Sequence, residues 1–574
     1  MFKNQPKGLY VLALANTGER FGYYTMLAIL LLTLQAKFGF SIGTTGFIYS
    51  SFLALVYFMP MVGGIIADKW NFQKTVTLGI VVMFLGYLVM ALPTHRGDAL
   101  ALPVLIAGLV LISVGTGLFK GNVQVMVGDL YNDPKYANKR EMAFSLFYMA
   151  INIGAMFAPS VTEFLCTKAL AAKGLVYNPA IPSICNKILA GEPLNEKAQA
   201  TIDAFTNHTA DLQGYAANYM NTITTGYGWA FAVACGSMVL SFLIYMLGRR
   251  TYNGVSDKPK DAKASAAGTV AKVPELTPQQ TKSRITALLL VFAVIIFFWM
   301  VFHQNGATLT KFAEVFTANE TSSWTRIGFN VWALATIAVG VYAAFNIFQG
   351  RGKTRVISSL ILAGCCVLIG CFYGFWVPGT VSDVQPQIYQ QFNPFYVVSL
   401  TPFSLAIFGW LAKRKKEPSA PFKIGLGMVV AAVAFCVMAI CSIGLGVAPS
   451  EGQGEHLVSP NVLISVYLIL TFAELLLSPM GIAFVSKVAP PKYKGIMMGC
   501  WFGATAIGNY LVIVPTLLWD TVNVALIWCI LAVICLIAAT FIFSILRKLE
   551  AATSDEPAPA PVEDALENVE DDAI

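Results

Sequence analysis

The chain has 574 residues, of which 56% are hydrophobic and only 12% charged, with a mean hydropathy of +0.66. A water-soluble domain carries about 25% charged residues, so this much apolar surface cannot be hidden in a soluble core, and lipid must be the solvent for much of the chain. The net charge of +7 sits in short basic clusters between apolar segments, which is the positive-inside pattern of a membrane protein and not a nucleic-acid patch.

A bilayer crossing takes about 20 apolar residues. On that rule the first half predicts helices near 9–36, 44–67, 73–93, 100–129, 141–163 and 226–248. The first of these passes through Glu19 and Arg20 and is kept as helix one, not a cleaved signal. A polar linker rich in Lys, Ala, Pro and Ser follows over 249–283. The second half predicts helices near 284–310, 325–348, 355–377, 393–413, 421–447, 461–488, 494–518 and 522–547. The expected class is therefore an all-α polytopic membrane protein with about fourteen spans.

Six helices in 1–248 and eight in 284–548, joined by the linker 249–283, suggest two related bundles with a site between them. Two of the eight are surplus to a six-plus-six plan. The pair at about 325–377 carries almost no polar residues in its spans and is the expected insertion. The acidic Pro/Ala-rich tail 549–574 is expected to be disordered.

Orientation follows from the basic loops. Asp68 to Lys74, Lys135 to Arg140, Arg249-Arg250, Arg351 to Arg355, Lys413 to Lys416 and Lys492 to Lys494 all fall on one side of the predicted topology. This places both termini in the cytoplasm and the long loop 164–225 outside, for a multi-pass protein of the plasma (inner) membrane. Cys166 and Cys185 lie in that loop, where an oxidising compartment would let them pair. The other nine cysteines read as small hydrophobes in apolar segments, and no Cys/His spacing fits a metal.

Several charges lie inside the apolar segments, where charge is costly and usually functional. Glu19 and Arg20 stand side by side in helix one, with Tyr23 and Tyr24 a turn later. The alternative to a binding role is a structural ion pair pinning two helices. Lys120, in Gly115-Thr-Gly-Leu-Phe-Lys120-Gly-Asn122, needs a carboxylate or must lose its proton. Glu19 and a substrate carboxylate are both candidate partners. Glu474 is a lone acid in Leu468-Ile-Leu-Thr-Phe-Ala-Glu474-Leu-Leu-Leu-Ser478. His303, after Trp299, titrates near neutrality and could carry a proton, or serve as interhelical glue. Gly63-Gly-Ile-Ile-Ala-Asp68-Lys69 closes helix two with an acid and a base.

These motifs together resemble the proton-dependent oligopeptide transporter family of the major facilitator superfamily. The resemblance is carried by Glu19-Arg-Phe-Gly-Tyr-Tyr24, matching the end of that family's E-x-x-E-R-F-x-Y-Y, and by Phe119-Lys-Gly-Asn122. It is carried further by Phe147-Tyr-Met-Ala-Ile-Asn152-Ile-Gly154, by Glu474-Leu-Leu-Leu-Ser-Pro479 with Met498-Gly-Cys-Trp501-Phe502, and by Gln391-Phe-Asn393-Pro394. It implies a major facilitator fold of two six-helix bundles plus an inserted pair. It also implies import of di- and tripeptides by proton symport with alternating access, with no cofactor beyond the coupling proton. Carried over residue by residue, Arg20, Lys120, Tyr23, Tyr24 and Tyr57 would hold the peptide carboxylate. Glu474, Asn152 and Asn393 would hold its amino end, and Trp299, Trp501 and Phe502 would wall the side-chain space. Asp68 and Lys69 match the superfamily's loop signature and would act in gating. The implied partners are a peptide, protons and lipid, with the chain acting as a monomer and no catalytic or metal site.

Two departures from the family pattern stand out. Asn16 occupies the position of the first motif acid and cannot take up a proton, and His303 stands where the family usually has an acid. Glu19, His303 and Glu474 are then the candidate proton carriers. Competing readings are an uncoupled peptide facilitator, a carrier of nitrate-like small anions, and a membrane enzyme or receptor. Glu474 opposes the anion reading, since an anion has no use for a negative pole. No nucleophile-base pair or metal motif supports an enzyme.

Overall fold

In lipid every backbone amide must be satisfied within its own segment, so the apolar runs become helices. The computed structural model describes residues 5–132, 135–136, 140–253, 277–490 and 493–554. The first half contains α1 (Lys7–Phe38), α2 (Ile42–Lys69), α3 (Phe72–Ala91), α4 (Ala101–Asp129), α5 (Arg140–Ala171), the short α6 (Ile181–Ala190) and α7 (Glu196–Thr206), and α8 (Leu212–Leu247). The second half contains α9 (Pro278–Phe302), α10 (Thr308–Val315), α11 (Val331–Gln349), α12 (Lys353–Cys371), α13 (Phe392–Lys413), α14 (Ala420–Cys441), α15 (Pro460–Val488), α16 (Lys494–Tyr510), α17 (Ile513–Leu518), α18 (Val524–Ser544) and α19 (Leu546–Ser554). Fourteen helical segments among the described residues are long and apolar enough to cross a membrane, as the hydropathy predicts. The α9–α10 and α16–α17 pairs each count as one of these crossings.

Close packing of the first half depends on glycine. A Cβ at Gly63 would collide with the Gly117 carbonyl, so α2 and α4 touch backbone to backbone. The neighbouring Gly64 faces open space. A Cβ at Gly154 would press on the Thr17 carbonyl, so α5 lies directly on α1 beside Glu19. In the second half α14 packs on α15 and α18, and α9 packs on α16. The halves meet where α2 lies along α16 and α17 and where α5 meets α13. The pair α11 and α12 is peripheral: α12 buries only Ser358 and Cys365 of its residues. Its remaining apolar faces suit lipid.

The expected boundaries change in several places: α11 begins at Val331 and not near 325, and α14 ends at Cys441 and not near 447. Helices five and six are longer than 141–163 and 226–248, so the segment expected as a loop over 164–225 is a 172–211 connection carrying α6 and α7. The extension of α5 stays helical because Cys166, Ala169 and Leu170 are buried against protein, which a hydropathy window cannot see. Cys166 and Cys185 are both buried free thiols, so the pairing left open by the sequence is not formed. Burial pushes the Cys185 thiol up to about 12, which leaves it protonated and unreactive at neutral pH. Residues 278–283, assigned to the linker, begin α9: Thr277 and Gln280 form a reciprocal capping box, with Pro278 in the first turn. Residues 549–554, assigned to the tail, continue α19, anchored by the buried Leu549 and by a 2.6 Å bond from Ser419 to Glu550. Linker residues 254–276 and tail residues 555–574 lie outside the described residues.

The 172–211 connection straps the two halves together at one end of the bundle. It is tied to the first half by Asn186, whose Nδ2 donates to the Gln35 carbonyl (3.1 Å) and whose Oδ1 accepts from Arg96. It reaches the second half at 451–454. Lys187 pairs with Glu451, the Asn195 amide donates to Glu451 Oε1 (3.1 Å), and the Gly452 amide donates to Ser183 Oγ (2.8 Å). Lys197 Nζ donates to the carbonyls of Gln453 and Gly454, each at 3.1 Å.

Burial alone would raise the Glu451 carboxyl, but the bonds from Lys187, the Asn195 amide and Ser450 outweigh it and hold the group below the usual carboxylate range. A depressed native pKa contributes stability that is present above the unfolded value and lost as pH falls through the folded one. Glu451→Gln is therefore expected to loosen the strap by about 1–3 kcal/mol, read as faster deuterium exchange over 181–206. The unsubstituted protein should show the same loosening only in acid below about pH 4.

Candidate functional site

A cavity of about 240 Å³ lies between the halves near the middle of the crossing helices. Helical periodicity delivers its lining. Asn16, Arg20, Tyr23, Tyr24 and Leu27 repeat every three to four residues along one face of α1. On α5, Tyr148, Asn152, Ala155 and Pro159 do the same. Tyr57 comes from α2, Lys120 and Gln124 from α4, Asn393 from α13, Glu474 from α15, and Trp501 and Phe502 from α16.

Three charged features define the site. Glu19 and Arg20 are 0% and 4% exposed. Arg20 donates through Nε to Glu19 Oε2 and through Nη2 to Glu19 Oε1 (2.6 Å), and its guanidinium stands 5.0 Å from the Tyr23 ring. Arg20 is thus neutralised by its own neighbour. Lys120 has no carboxylate within ion-pair distance among the described residues. Its ammonium rests on the face of Tyr57, 4.1 Å from the ring centroid. The sequence allowed Glu19 as its partner, but Arg20 already takes both Glu19 oxygens. Glu474, on the other half, accepts from Tyr148 Oη (3.0 Å) and Asn393 Nδ2 (2.9 Å) and has no cation among the described residues. The cavity therefore holds one uncompensated positive pole and one uncompensated negative pole.

His303 sits at the break between α9 and α10, where the helix tightens over His303–Gly306. The sequence predicted an unbroken helix over 284–310. Its imidazole stacks on Trp299 at 5.0 Å and meets Tyr57 edge-on at 5.8 Å, and its Nδ1 has no hydrogen-bond partner. Trp299 Nε1 and Asn16 Nδ2 are likewise buried without partners. These polar atoms all belong to cavity-lining residues.

Of the residues singled out in the sequence, Arg20, Tyr23, Tyr24, Tyr57, Lys120, Asn152, Trp299, His303, Asn393, Glu474 and Trp501 all line the cavity. Asn152 lines it with its Nδ2 bonded to the Tyr148 carbonyl at 3.0 Å. Glu19 sits behind Arg20. Asp68 and Lys69 are exposed at the end of α2, away from the cavity. Sequence reading missed Tyr148, Gln124, Phe302 and Gln390 as lining residues. A signal existed for two of them, since Tyr148 is one turn before Asn152 and Gln124 one turn after Lys120.

Comparison with known proteins gives a consistent result. The model of the family described as "PTR2: POT family" matches residues 73–273 and 377–545. The chain is 27% identical over 524 residues to a Bacillus subtilis (strain 168) protein called uncharacterized transporter YclF, covering 87% of this chain and 85% of that one. It is 24% identical over 533 residues to dipeptide and tripeptide permease A of Escherichia coli (strain K12), covering 88% and 84%. Among solved structures, a peptide transporter POT in complex with alafosfalin superposes with a TM-score of 0.65 at 21% identity, covering 96% of this chain and 97% of that one. Tetrameric PepTSo2 superposes with a TM-score of 0.59 at 19% identity, covering 95% and 99%.

Proposed function

We propose a peptide carrier from one premise: this chain belongs to the POT family. It is a multi-pass membrane transporter and not an enzyme. Our reading is that it imports di- and tripeptides across the plasma membrane by alternating access, coupled to protons. The strapped end of the bundle would face outward and both termini the cytoplasm, as the basic loops require.

The observation that carries this reading is the pair of uncompensated poles. A peptide zwitterion brings a carboxylate for Lys120, with the Tyr23, Tyr24 and Tyr57 hydroxyls nearby, and an ammonium for Glu474, framed by Asn393 and Tyr148. In a cavity of low dielectric each contact is worth more than in water. Trp299, Trp501 and Phe502 offer apolar walls tolerant of varied side chains. The same reading has the chain acting as a monomer. The relatives called dipeptide and tripeptide permeases support the same cargo.

Coupling would use carboxylates that meet the substrate or its binding groups, Glu474 and Glu19. His303 is the third candidate. Uncoupled carriage is the second reading, favoured by Asn16 at a cavity wall where an acid would load a proton. Asp68 and Lys69 would act in gating at the cytoplasmic end of α2.

The test is uptake of a labelled dipeptide into proteoliposomes with and without an inward proton gradient. Accumulation above equilibrium only with the gradient is the expected result. Equilibration indifferent to the gradient would establish uncoupled carriage, and no uptake by folded protein would overturn the peptide reading. In the same assay Glu474→Gln removes the negative pole while keeping an amide acceptor for Tyr148. It is expected to lower peptide affinity by about thirtyfold or more, about 2 kcal/mol for a lost charge-assisted bond. Near-normal uptake by this variant would remove Glu474 from the site.

A further inference from the structure

Above the cavity, on the strapped side, the halves are closed by neutral hydrogen bonds. The turn Pro386–Gln391 lies against α5. Ser160 Oγ donates to Gln391 Oε1 (2.8 Å), and Gln385 Nε2 donates to Thr167 Oγ1 (3.0 Å) and to the Glu163 carbonyl (3.5 Å). Gln387 Nε2 donates to Gln385 Oε1 (2.6 Å). Gln385, Gln387 and Gln391 are 0% exposed.

Glu163 stands in this closure. Pro159, Glu163 and Thr167 follow at intervals of one turn on α5. Pro159 lines the cavity and Thr167 bonds the turn, so the helical repeat puts Glu163 on the same face, toward the second half. The Gln385 backbone amide donates to its carboxylate, which has no ion pair among the described residues. Within the same turn the Gln387 Oε1 acceptor and the Tyr389 hydroxyl are buried without partners.

Among the described residues the elements packed on α5 bring no cation into an ion pair with Glu163. The turn brings Tyr389, α13 brings Tyr396, and α11 brings Tyr342, which donates to the Val398 carbonyl. On α1, Arg20 is taken up by Glu19 and Lys37 bonds Thr94, and α8 contributes Tyr219 and Tyr227. On α4 the one cation is Lys120, deep in the cavity. Lys168, on α5 itself, lies over the Phe164 ring at 5.5 Å. Arg326, before α11, is bonded to the carbonyls of Ser323 and Tyr373.

We propose that Glu163 is a proton-binding site of the outer closure, additional to the substrate cavity. With a proton bound, the carboxyl is neutral and can lie buried against the glutamine turn. Without the proton, the carboxylate favours water and the closure opens. A group that prefers its proton in the closed state stabilises that state when protonated, by linkage. A proton taken from outside then closes the outer face and commits the carrier to opening inward. This places a coupling acid on α5 in a chain whose α1 offers Asn16. The proposal rests on the symport reading for its role in transport, but not for the closure itself.

Two readouts separate these. The first needs no peptide: Ala155→Cys, whose side chain lines the cavity, is labelled in whole cells by a membrane-impermeant maleimide between about pH 5.5 and about pH 8. In this background labelling is expected to rise at least about threefold with pH as the closure opens. Adding Glu163→Gln should hold it low and flat. An unchanged pH profile in the Glu163→Gln protein overturns the proposal. The second is transport: Glu163→Gln is expected to keep gradient-free peptide exchange and lose gradient-driven accumulation. If the unsubstituted protein carries no peptide, the carrier reading fails while the labelling profile still decides Glu163. Should Glu163→Gln fold poorly, Glu163→Asp, which keeps the titrating group, must retain the pH-dependent labelling.

Discussion

Lys120→Ala is expected to abolish measurable dipeptide uptake while leaving the folded protein at normal yield. The two halves of that expectation have one cause. Lys120 has no protein carboxylate as partner among the described residues, so removing it strands no buried charge. Its ammonium rests on the Tyr57 ring, and a cation–π contact contributes about 0.5–2 kcal/mol. The desolvation of an unpaired ammonium opposes that gain. For the substrate the balance is different. A carboxylate entering the cavity would lose the one cation among the described lining residues that no carboxylate already holds, because Arg20 is paired with Glu19. Loss of a charge-assisted bond there is worth about 2–3 kcal/mol, or about thirty- to two-hundredfold in affinity. Dipeptide binding by calorimetry, alongside thermal stability, tests both halves. Retained affinity would show that the carboxylate lies elsewhere.

Arg20→Ala should do the opposite and lose the protein before it loses the site. Truncation leaves Glu19, fully buried, as an unpaired anion on α1 against α5 and α8. Breaking a buried pair from one side costs about 3–5 kcal/mol, a large part of a membrane domain's margin. Glu19→Gln combined with Arg20→Ala removes the stranded charge and is expected to restore most of the folded yield. If Arg20→Ala alone folds normally, the pair does not stabilise the fold, and Arg20 is freer for substrate than its geometry indicates. Detergent-extracted yield and size-exclusion profiles of the single and double variants decide this.

Much of the site was legible in the chain because intramembrane charge is rare and must have a purpose. Glu19, Arg20, Lys120 and Glu474 stand out against apolar runs without any alignment. Their pairing was not legible. Sequence distance allowed Glu19 to serve Lys120, and only the packing of α1 against α5 and α8 turns Arg20 back onto both Glu19 oxygens. Tyr148 was within reach of the periodicity argument, one turn from Asn152. Glu163 was not, because hydropathy ended helix five at that residue. The structure extends α5 to Ala171 by burying Cys166, Ala169 and Leu170 against protein.

By itself the sequence determined the solvent of the fold, the number of crossings and the polar groups within them. These depend on local composition, since about 20 apolar residues span a bilayer whatever their neighbours. Tertiary structure alone decided which charges neutralise each other, that the connection 172–211 folds into a strap on the second half, and that a glutamine turn meets α5 above the cavity. Those depend on contacts between residues far apart in the chain, such as Asn195 with Glu451 and Thr167 with Gln385. Hydrogen bonds and ion pairs act over a few ångströms in space, and spacing along the chain carries no record of them once helices pack.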